Sequence, residues 1–469
     1  MKNYRWSWVL VLLFFLGISC QDDFDDVITP SNNLEIQDFV WKAMNVFYLY
    51  KSDVPDLADN RFSANEEYSQ FLSSFDAPES LFDNLLRDDD RFSVIVDDFR
   101  VLESAFQGVT LSNGMRFGLV LIQDTNQVFG YVRYVVPNSS ASAQGVERGM
   151  IFNQVSGTNL TDTNFRDLLS PDQYSIGLAE LVNGELVSTG ESISLTKTEL
   201  TENPVHIATT LNINGQNIAY LMYNAFRSNF ESELNQAFGD FMADGATDLI
   251  LDLRYNGGGS IETAKDLASM ITGQFEGELF AKEKFNDNFD NQSLFFDDQT
   301  AGGENINNLN LNRVFILTSG SSASASELVI NSLEPYINVI QIGTKTVGKF
   351  QGSTTLYDSP NFRRQNVNPS HFYALQPLIL EIENAEGFTG FVDGLVPDVE
   401  QEEDFFNLGV LGDPSEPLLA RALQEIGVGL QDETSPEIFQ KSTNFQFRSI
   451  GEFGMNLPDY QRMYENSIK

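Results

Sequence analysis

The sequence predicts a multidomain α/β protein. Two observations carry this. Between about residues 205 and 342, short apolar strand-like runs (218–221, 249–253, 314–317 and 339–342) alternate with helical stretches (230–242, 263–271 and 325–333). That alternation builds a sheet covered by helices. The near-continuous apolar run 249–253 suits a strand buried on both faces. The second observation is size: 469 residues at 42% hydrophobic content can bury a large core and fill two or three domains.

The N-terminus reads as a targeting segment. Lys2 and Arg5 precede an apolar run from Trp8 to Ile18 that is too short to span a bilayer as a helix. The run ends in Gly17-Ile18-Ser19-Cys20, and Cys20 is the only cysteine. No disulfide can form within the chain, and no cysteine pair can hold a metal. Small residues followed by a lone cysteine resemble a bacterial lipobox, with Gly17 where leucine is usual. Residues 1–20 are therefore expected to be a lipoprotein signal peptide, with lipidated Cys20 as the mature N-terminus. Acyl chains on one residue anchor a protein without a spanning helix. Residues 21–33 follow as an acidic linker with Asp22, Asp23, Asp25 and Asp26. The acidic run resembles the surface-export signals of Bacteroidetes lipoproteins. This implies an exported protein whose lipid anchors it to the outer membrane, at the periplasmic face or the cell surface.

Residues 34–110 are expected to form a small N-terminal helical domain. Phe39, Val40, Ala43, Met44, Phe47 and Tyr48 recur at helical spacing. Phe71, Phe75, Leu81, Phe82, Leu85 and Leu86 suggest two more helices, broken near Pro78. Such aromatic stripes are core patterns, so no chemistry is expected of this domain.

Residues 111–202 change character. Strand-like runs at 117–121 and 128–132 lead to Val136-Pro137-Asn138, a short alanine-containing helix and Arg148-Gly149-Met150. The order resembles a PDZ domain, although Met150 replaces the usual Asp after that glycine. PDZ domains add a peptide as a strand and capture its C-terminal carboxylate with backbone amides. The resemblance makes Phe117, Gly118, Leu119 and Val120 the expected carboxylate loop.

Residues 203–430 contain the groups able to do chemistry. A serine-alanine run, Ser321-Ser322-Ala323-Ser324-Ala325-Ser326, lies between a strand and a helix. Serines there usually cap the helix. One of them could instead be a nucleophile, because free amides and the positive end of a helix favour an oxyanion. A hydroxyl needs a base. His206 and His371 are the only histidines; His206 reads as linker, and neither sits in a catalytic pattern. A lysine serves if burial lowers its pKa. Lys349 follows a strand and Gly348, beside Val347 and Phe350. Gly257-Gly258-Gly259 after the buried strand can aim backbone amides into a pocket. It is not a phosphate loop, since no Gly-Lys-Ser/Thr follows.

These pieces, in this order and spacing, resemble the S41 serine peptidases, the C-terminal-processing family: residues 251–259 as Leu-Asp-Leu-Arg-Tyr-Asn-Gly-Gly-Gly, then Ser322-Ala323-Ser324-Ala325-Ser326-Glu327, then Gly343 to Lys349. Gly394-Leu395-Val396-Pro397-Asp398 resembles a further family segment, and 408–414 resembles Bacteroidetes lipoprotein members. The resemblance implies a peptidase core of the ClpP/crotonase-like type, with Ser324 as nucleophile and Lys349, rather than Lys345, as base. It places the oxyanion donors at Gly258 and Ala325. Some members carry proline at the position of Gly257, and proline has no N–H. Ser353 stands where members often have a glutamine beside the lysine. Residues 431–469 read as a C-terminal tail.

The resulting expectation is a serine endopeptidase that recognises C-terminal tails of protein or peptide substrates, with no metal and no cofactor. The net charge of −39, from 28 basic and 67 acidic residues, argues against a nucleic-acid surface. Contact with a membrane is expected through the lipid anchor alone. One alternative is an inactive peptidase-fold lipoprotein acting as a peptide-binding module. Another is a surface glycan-binding lipoprotein, which would need exposed aromatic platforms.

Overall fold

Aromatic and aliphatic spacing at the N-terminus produces helices α1 (Glu35–Phe47), α2 (Asn65–Leu72) and α3 (Pro78–Asn84), strand β1 (Val94–Val96) and helix α4 (Phe99–Phe106). The structure is a computed structural model and describes residues 33–182, 185–428 and 446–465. Pro78 starts α3, where its missing N–H costs nothing. Asp98 caps α4 by accepting from the Arg100 N–H. The segment 1–20 expected to be a signal peptide, with Cys20, and most of the expected acidic linker lie outside the described residues. Among the described residues no helix is long and apolar enough to cross a membrane.

The expected N-terminal helical region is present, and its apolar side chains pack directly into the core of the α/β region. Phe39, Tyr68, Phe82 and Phe92 belong to one apolar cluster with Phe238, Leu267, Val329 and Leu378. Aromatic side chains this large can be covered only by a partner layer. The sequence pattern shows that they are buried but not what buries them.

A β-rich unit follows: β2 (Val109–Ser112), β3 (Met115–Ile122), β4 (Val128–Val135), α5 (Ser140–Ala143), β5 (Ile151–Val155), β6 (Thr158–Asn159), α6 (Phe165–Leu169), β7 (Gln173–Val182), β8 (Glu185–Thr196) and β9 (Thr198–Thr201). Alternation sets its faces. Phe117, Leu119 and Leu121 enter its core with Val132, Phe152 and Ile176. Val120 and Ile122 face the opposite side, against Phe129 and Leu408. Phe117, Gly118, Leu119 and Val120 are thus the interior of a strand rather than a loop. Seven paired residues join β3 to β4 across one bulge.

The remaining elements are β10 (Val205–Ile213), β11 (Gln216–Tyr223), α7 (Glu231–Ala243), β12 (Asp248–Asp252), β13 (Gly259–Ser260), α8 (Ile261–Thr272), β14 (Leu279–Phe285), β15 (Gln292–Phe295), β16 (Arg313–Thr318), α9 (Ala325–Leu333) and β17 (Asn338–Gly343). They continue as β18 (Gln351–Ser353), β19 (Leu356–Tyr357), β20 (Ala374–Gln376), β21 (Leu378–Glu383), β22 (Val399–Glu400), α10 (Pro417–Ile426), β23 (Phe447–Glu452) and β24 (Met463–Tyr464). The main sheet runs β10-β11-β12-β16-β17-β22 and is parallel from β11 onward. Leu249 and Leu251 of β12 face the large cluster with α8 and α9, whereas Ile250 faces α10 through Leu418 and Leu419. Burial on both faces is why β12 reads as a continuous apolar run. His206 lies inside β10 with its ring tilted against that of Tyr134, centroids 4.7 Å apart, so it is not in a linker. A second sheet runs β13-β24-β18-β21-β14-β15, and a third joins β1, β20 and β19. In doubly covered parallel sheets ligand crevices open at the carboxyl ends of the strands. Here β12 runs out into the glycine loop, and β16 into the serine run.

Candidate active site

The serine run holds four hydroxyls, and three of them have structural partners. Ser322 donates to the Leu253 carbonyl at 2.8 Å and Ser326 to the Asn256 carbonyl at 3.0 Å. Ser321 donates to the Glu452 carboxylate. Ser324 Oγ is fully buried and has no hydrogen-bond partner. Ser324 also has φ +68° and ψ −118°, a conformation that a side chain disfavours. It therefore stands at a sharp turn from strand to helix, at the N-terminus of α9, with Ala325 as the first helical residue. The Ala325 N–H occupies a position where a helix has no internal acceptor.

Glu327 organises the surroundings. Its Oε2 accepts the Ser324 N–H at 2.7 Å and the Lys349 N–H at 2.9 Å. Its Oε1 accepts the Gly348 N–H at 2.7 Å and the Thr346 hydroxyl at 2.5 Å. Burial pushes this carboxyl up from its ordinary value, while the four donors favour the carboxylate. One buried side chain thus ties the first turn of α9 to the lysine loop. Gly348 lies at φ +90°, and a Cβ there would stand 2.4 Å from the Val392 carbonyl oxygen. The loop can be drawn this tightly only with glycine.

Lys349 is fully buried. Burial drives its amine well below the ordinary lysine value, and nearby Arg462 adds to this, against Asp90 and Glu327. The Phe92 ring lies 4.8 Å from Nζ, and Arg91 reaches the Gly348 carbonyl at 3.3 Å. The N-terminal region thus walls the lysine, a role its helical pattern did not suggest. Nζ donates to the Gln461 carbonyl at 2.9 Å. Ser353 turns elsewhere, donating to Gln376 Oε1 at 2.6 Å and to the Met463 carbonyl at 3.0 Å.

The glycine loop closes the site from the other side. Gly258 has φ +108°, and a Cβ there would lie 2.6 Å from Ser324 Cβ and 2.7 Å from the Arg462 carbonyl oxygen. Its N–H donates to Asn256 Oδ1 at 2.8 Å, so that donor is engaged in this structure. Asn256 also donates to the Tyr223 carbonyl at 2.8 Å. Upstream, fully buried Arg254 is held by Asp252, Glu403 and Glu416. Arg148 of the β-rich unit reaches Glu403 at 2.9 Å and the Tyr255 hydroxyl at 2.8 Å, linking that unit to the loop. A cavity of about 140 Å³ lies beside Gly257 and Gly258, bordered by Arg116, Arg133 and Arg227.

Of the predicted site residues, Ser324, Ala325, Gly258 and Lys349 meet here. Phe117, Gly118, Leu119 and Val120 belong to the neighbouring sheet. His371 is engaged with Asp358 at 2.9 Å. Lys345 is exposed. Among the described residues no cluster of His, Cys, Asp or Glu has metal-binding geometry. Sequence reasoning missed Glu327, Phe92 and Gln461. Glu327 carried a readable signal, since Ser324 with Glu three residues later is a capping-box pattern. Phe92 and Gln461 carried none, being far away in the chain.

Comparison with known proteins finds similarity to one peptidase family in two segments of the chain. Residues 217–363 match the model of peptidase family S41, and residues 35–94 match the peptidase S41 N-terminal domain. A chloroplastic C-terminal processing peptidase from Tetradesmus obliquus is 27% identical over 225 residues, covering 45% of this chain and 46% of the relative. The match thus spans about half the length of that curated relative. A solved structure assigned to the S41 proteases, from Bacteroides fragilis NCTC 9343, is 27% identical with a TM-score of 0.66 over 83% of this chain and 97% of that one. The photosystem II D1 C-terminal processing protease shares the fold at 20% identity and a TM-score of 0.50, over 85% of this chain and 98% of that one. Two segments of the chain, residues 35–94 and 217–363, are thus similar to peptidase family S41.

Proposed function

We propose that this chain is a serine endopeptidase in which Ser324 is the nucleophile and Lys349 the general base. The observation that carries the reading is one buried hydroxyl without a partner, Ser324 Oγ, tied through Glu327 to one buried lysine whose amine is pushed toward neutrality. Ser324 Oγ attacks a peptide carbonyl carbon, and its proton passes to neutral Lys349 Nζ. The tetrahedral oxyanion lies at the N-terminus of α9, where the Ala325 N–H can donate. Gly258 N–H is the second donor once it leaves Asn256. Collapse breaks the C–N bond, and Lys349 returns the proton to the leaving amine. Water then attacks the ester, giving its proton to Lys349, and Ser324 Oγ leaves with a proton from the same amine.

The test is hydrolysis of an unstructured protein by wild type, Ser324→Ala and Lys349→Ala. Both variants should lose activity by at least about 10³-fold. Equal turnover by wild type and Ser324→Ala would sink the reading. A peptide-binding module without catalysis is the second reading, favoured by the engaged Gly258 N–H and by Ser353 in place of glutamine. Peptide binding with no hydrolysis in wild type would select it.

The β-rich unit is read as PDZ-like, receiving substrate tails along β3 by strand addition. Amidation of a peptide's C-terminus should weaken its binding if the tail carboxylate is recognised. Lipidation at Cys20, with export to the outer membrane, is the companion proposal. Cys20→Ala should release the protein from membranes, and full retention of the variant would count against a lipid anchor.

A further inference from the structure

The segment 446–465 touches both halves of the candidate site. Its β23 pairs antiparallel with β3, from Phe447 opposite Ile122 to Glu452 opposite Gly118. The Phe453 N–H extends this ladder onto the Phe117 carbonyl at 2.9 Å. A strand edge accepts one partner, so while β23 is in place no peptide can add there. Further on, β24 lies between β13 and β18, with Met463 and Tyr464 opposite Gly259 and Ser260. Between these strands the backbone crosses the site. The Gln461 carbonyl accepts from Lys349 Nζ, and the Arg462 carbonyl lies against Gly258.

Two buried ion pairs fasten this crossing. Glu452 is paired with Arg133, and Asp459 with Arg227 at 2.6 Å. None of the four side chains is more than 16% exposed. Both arginines border the cavity beside the glycine loop. Removal of the segment would leave two cations beside the site without these partners, a costly state unless other carboxylates replace them.

We propose that residues 446–465 are an intramolecular occupant of the substrate groove that holds the site closed, and that Arg133 and Arg227 receive the carboxylates of the acidic extended polypeptide that displaces it. The closing effect rests on the Ser324–Lys349 reading; the occupancy does not. A tethered segment competes at an effective concentration on the order of millimolar. An incoming peptide therefore binds with its affinity reduced by the fraction of molecules that are open.

The test uses the full chain with Glu452→Arg and Asp459→Arg, which sets like charges against Arg133 and Arg227. Three readouts are followed: hydrogen exchange of 447–453 and of β3, hydrolysis of an unstructured protein, and binding of a labelled synthetic peptide of residues 446–465. Exchange and hydrolysis should both rise at least tenfold. The peptide should bind the variant, not the wild type, and should suppress its hydrolysis. Adding Arg133→Glu and Arg227→Glu should restore slow exchange. If the reversal variant does not fold, Glu452→Gln with Asp459→Asn gives the same readouts with smaller changes. Faster exchange with unchanged or lower hydrolysis would overturn the proposal, making the segment a structural strand only. Failure of the peptide to bind the variant would overturn it too. If wild type and variant alike hydrolyse nothing, the peptidase reading fails, and exchange with peptide binding still decides the occupancy.

Discussion

The backbone N–H of Lys349 donates at 2.9 Å to Glu327 Oε2, the oxygen that also receives the N–H of Ser324. The nucleophile candidate and the base candidate are therefore tied together through their backbones. A carboxylate on the first turn of α9 holds both backbones, where the helix dipole favours negative charge. Catalytic geometry of this kind depends on a residue that need not touch substrate.

Removing that carboxylate should be costly. Glu327→Ala leaves three backbone N–H groups and the Thr346 hydroxyl without their acceptor in a buried place. Each such orphan costs roughly 1–3 kcal/mol, though not additively. The expected loss is about 3 kcal/mol in urea unfolding, with kcat falling and KM little changed. Glu327→Gln should lose less stability, since one oxygen remains. A Glu327→Ala protein with wild-type unfolding and kcat would show that the two loops hold themselves.

Ser324 should behave in the opposite way. Its positive φ and unpartnered buried hydroxyl are both unfavourable to folding. Ser324→Gly removes both, and should raise stability by about 1 kcal/mol while abolishing hydrolysis. Ser324→Ala removes only the hydroxyl and should melt no lower than wild type. A clear fall in Tm for both variants would mean that the hydroxyl has a structural partner after all.

Legibility in the sequence followed the range of the interaction. Strands and helices of the main sheet announce themselves because their neighbours lie on both faces, so β12 and α9 are visible in local pattern. Ser324, Lys349 and the glycine loop were readable as candidates because they lie in short motifs. The sequence misses contacts made by distant segments. Phe92 reaches Lys349 from the N-terminal region, and Gln461 reaches it from a stretch that reads as tail. The expected carboxylate loop at 117–120 is strand, because Phe117 and Leu119 are needed in the core of the β-rich unit. Alternating apolar residues around a glycine carry no mark separating a loop from a strand with a close neighbour. At Gly118 that neighbour is the Tyr131 ring, 2.5 Å from where a Cβ would stand.

Lys349 yields a prediction with a definite sign. Burial lowers its pKa in the folded chain below the unfolded value of about 10.4. Between the two values the unfolded chain binds the extra proton, so stability rises with pH there. The cost of burying this lysine is full below the folded pKa and fades as pH climbs toward the unfolded one. Lys349→Met keeps similar volume without a titrating group. It should raise Tm at pH 7, with a gain that shrinks toward pH 10, and should be inactive. Wild-type hydrolysis should rise with pH through the lowered pKa, as a neutral amine is needed to take the proton. Lys349→Arg stays charged and should be as inactive as Lys349→Ala. Exposed Lys345, and both histidines, should be replaceable by alanine with most activity kept. A dead histidine variant beside an active Lys349→Ala would move the base from lysine to histidine.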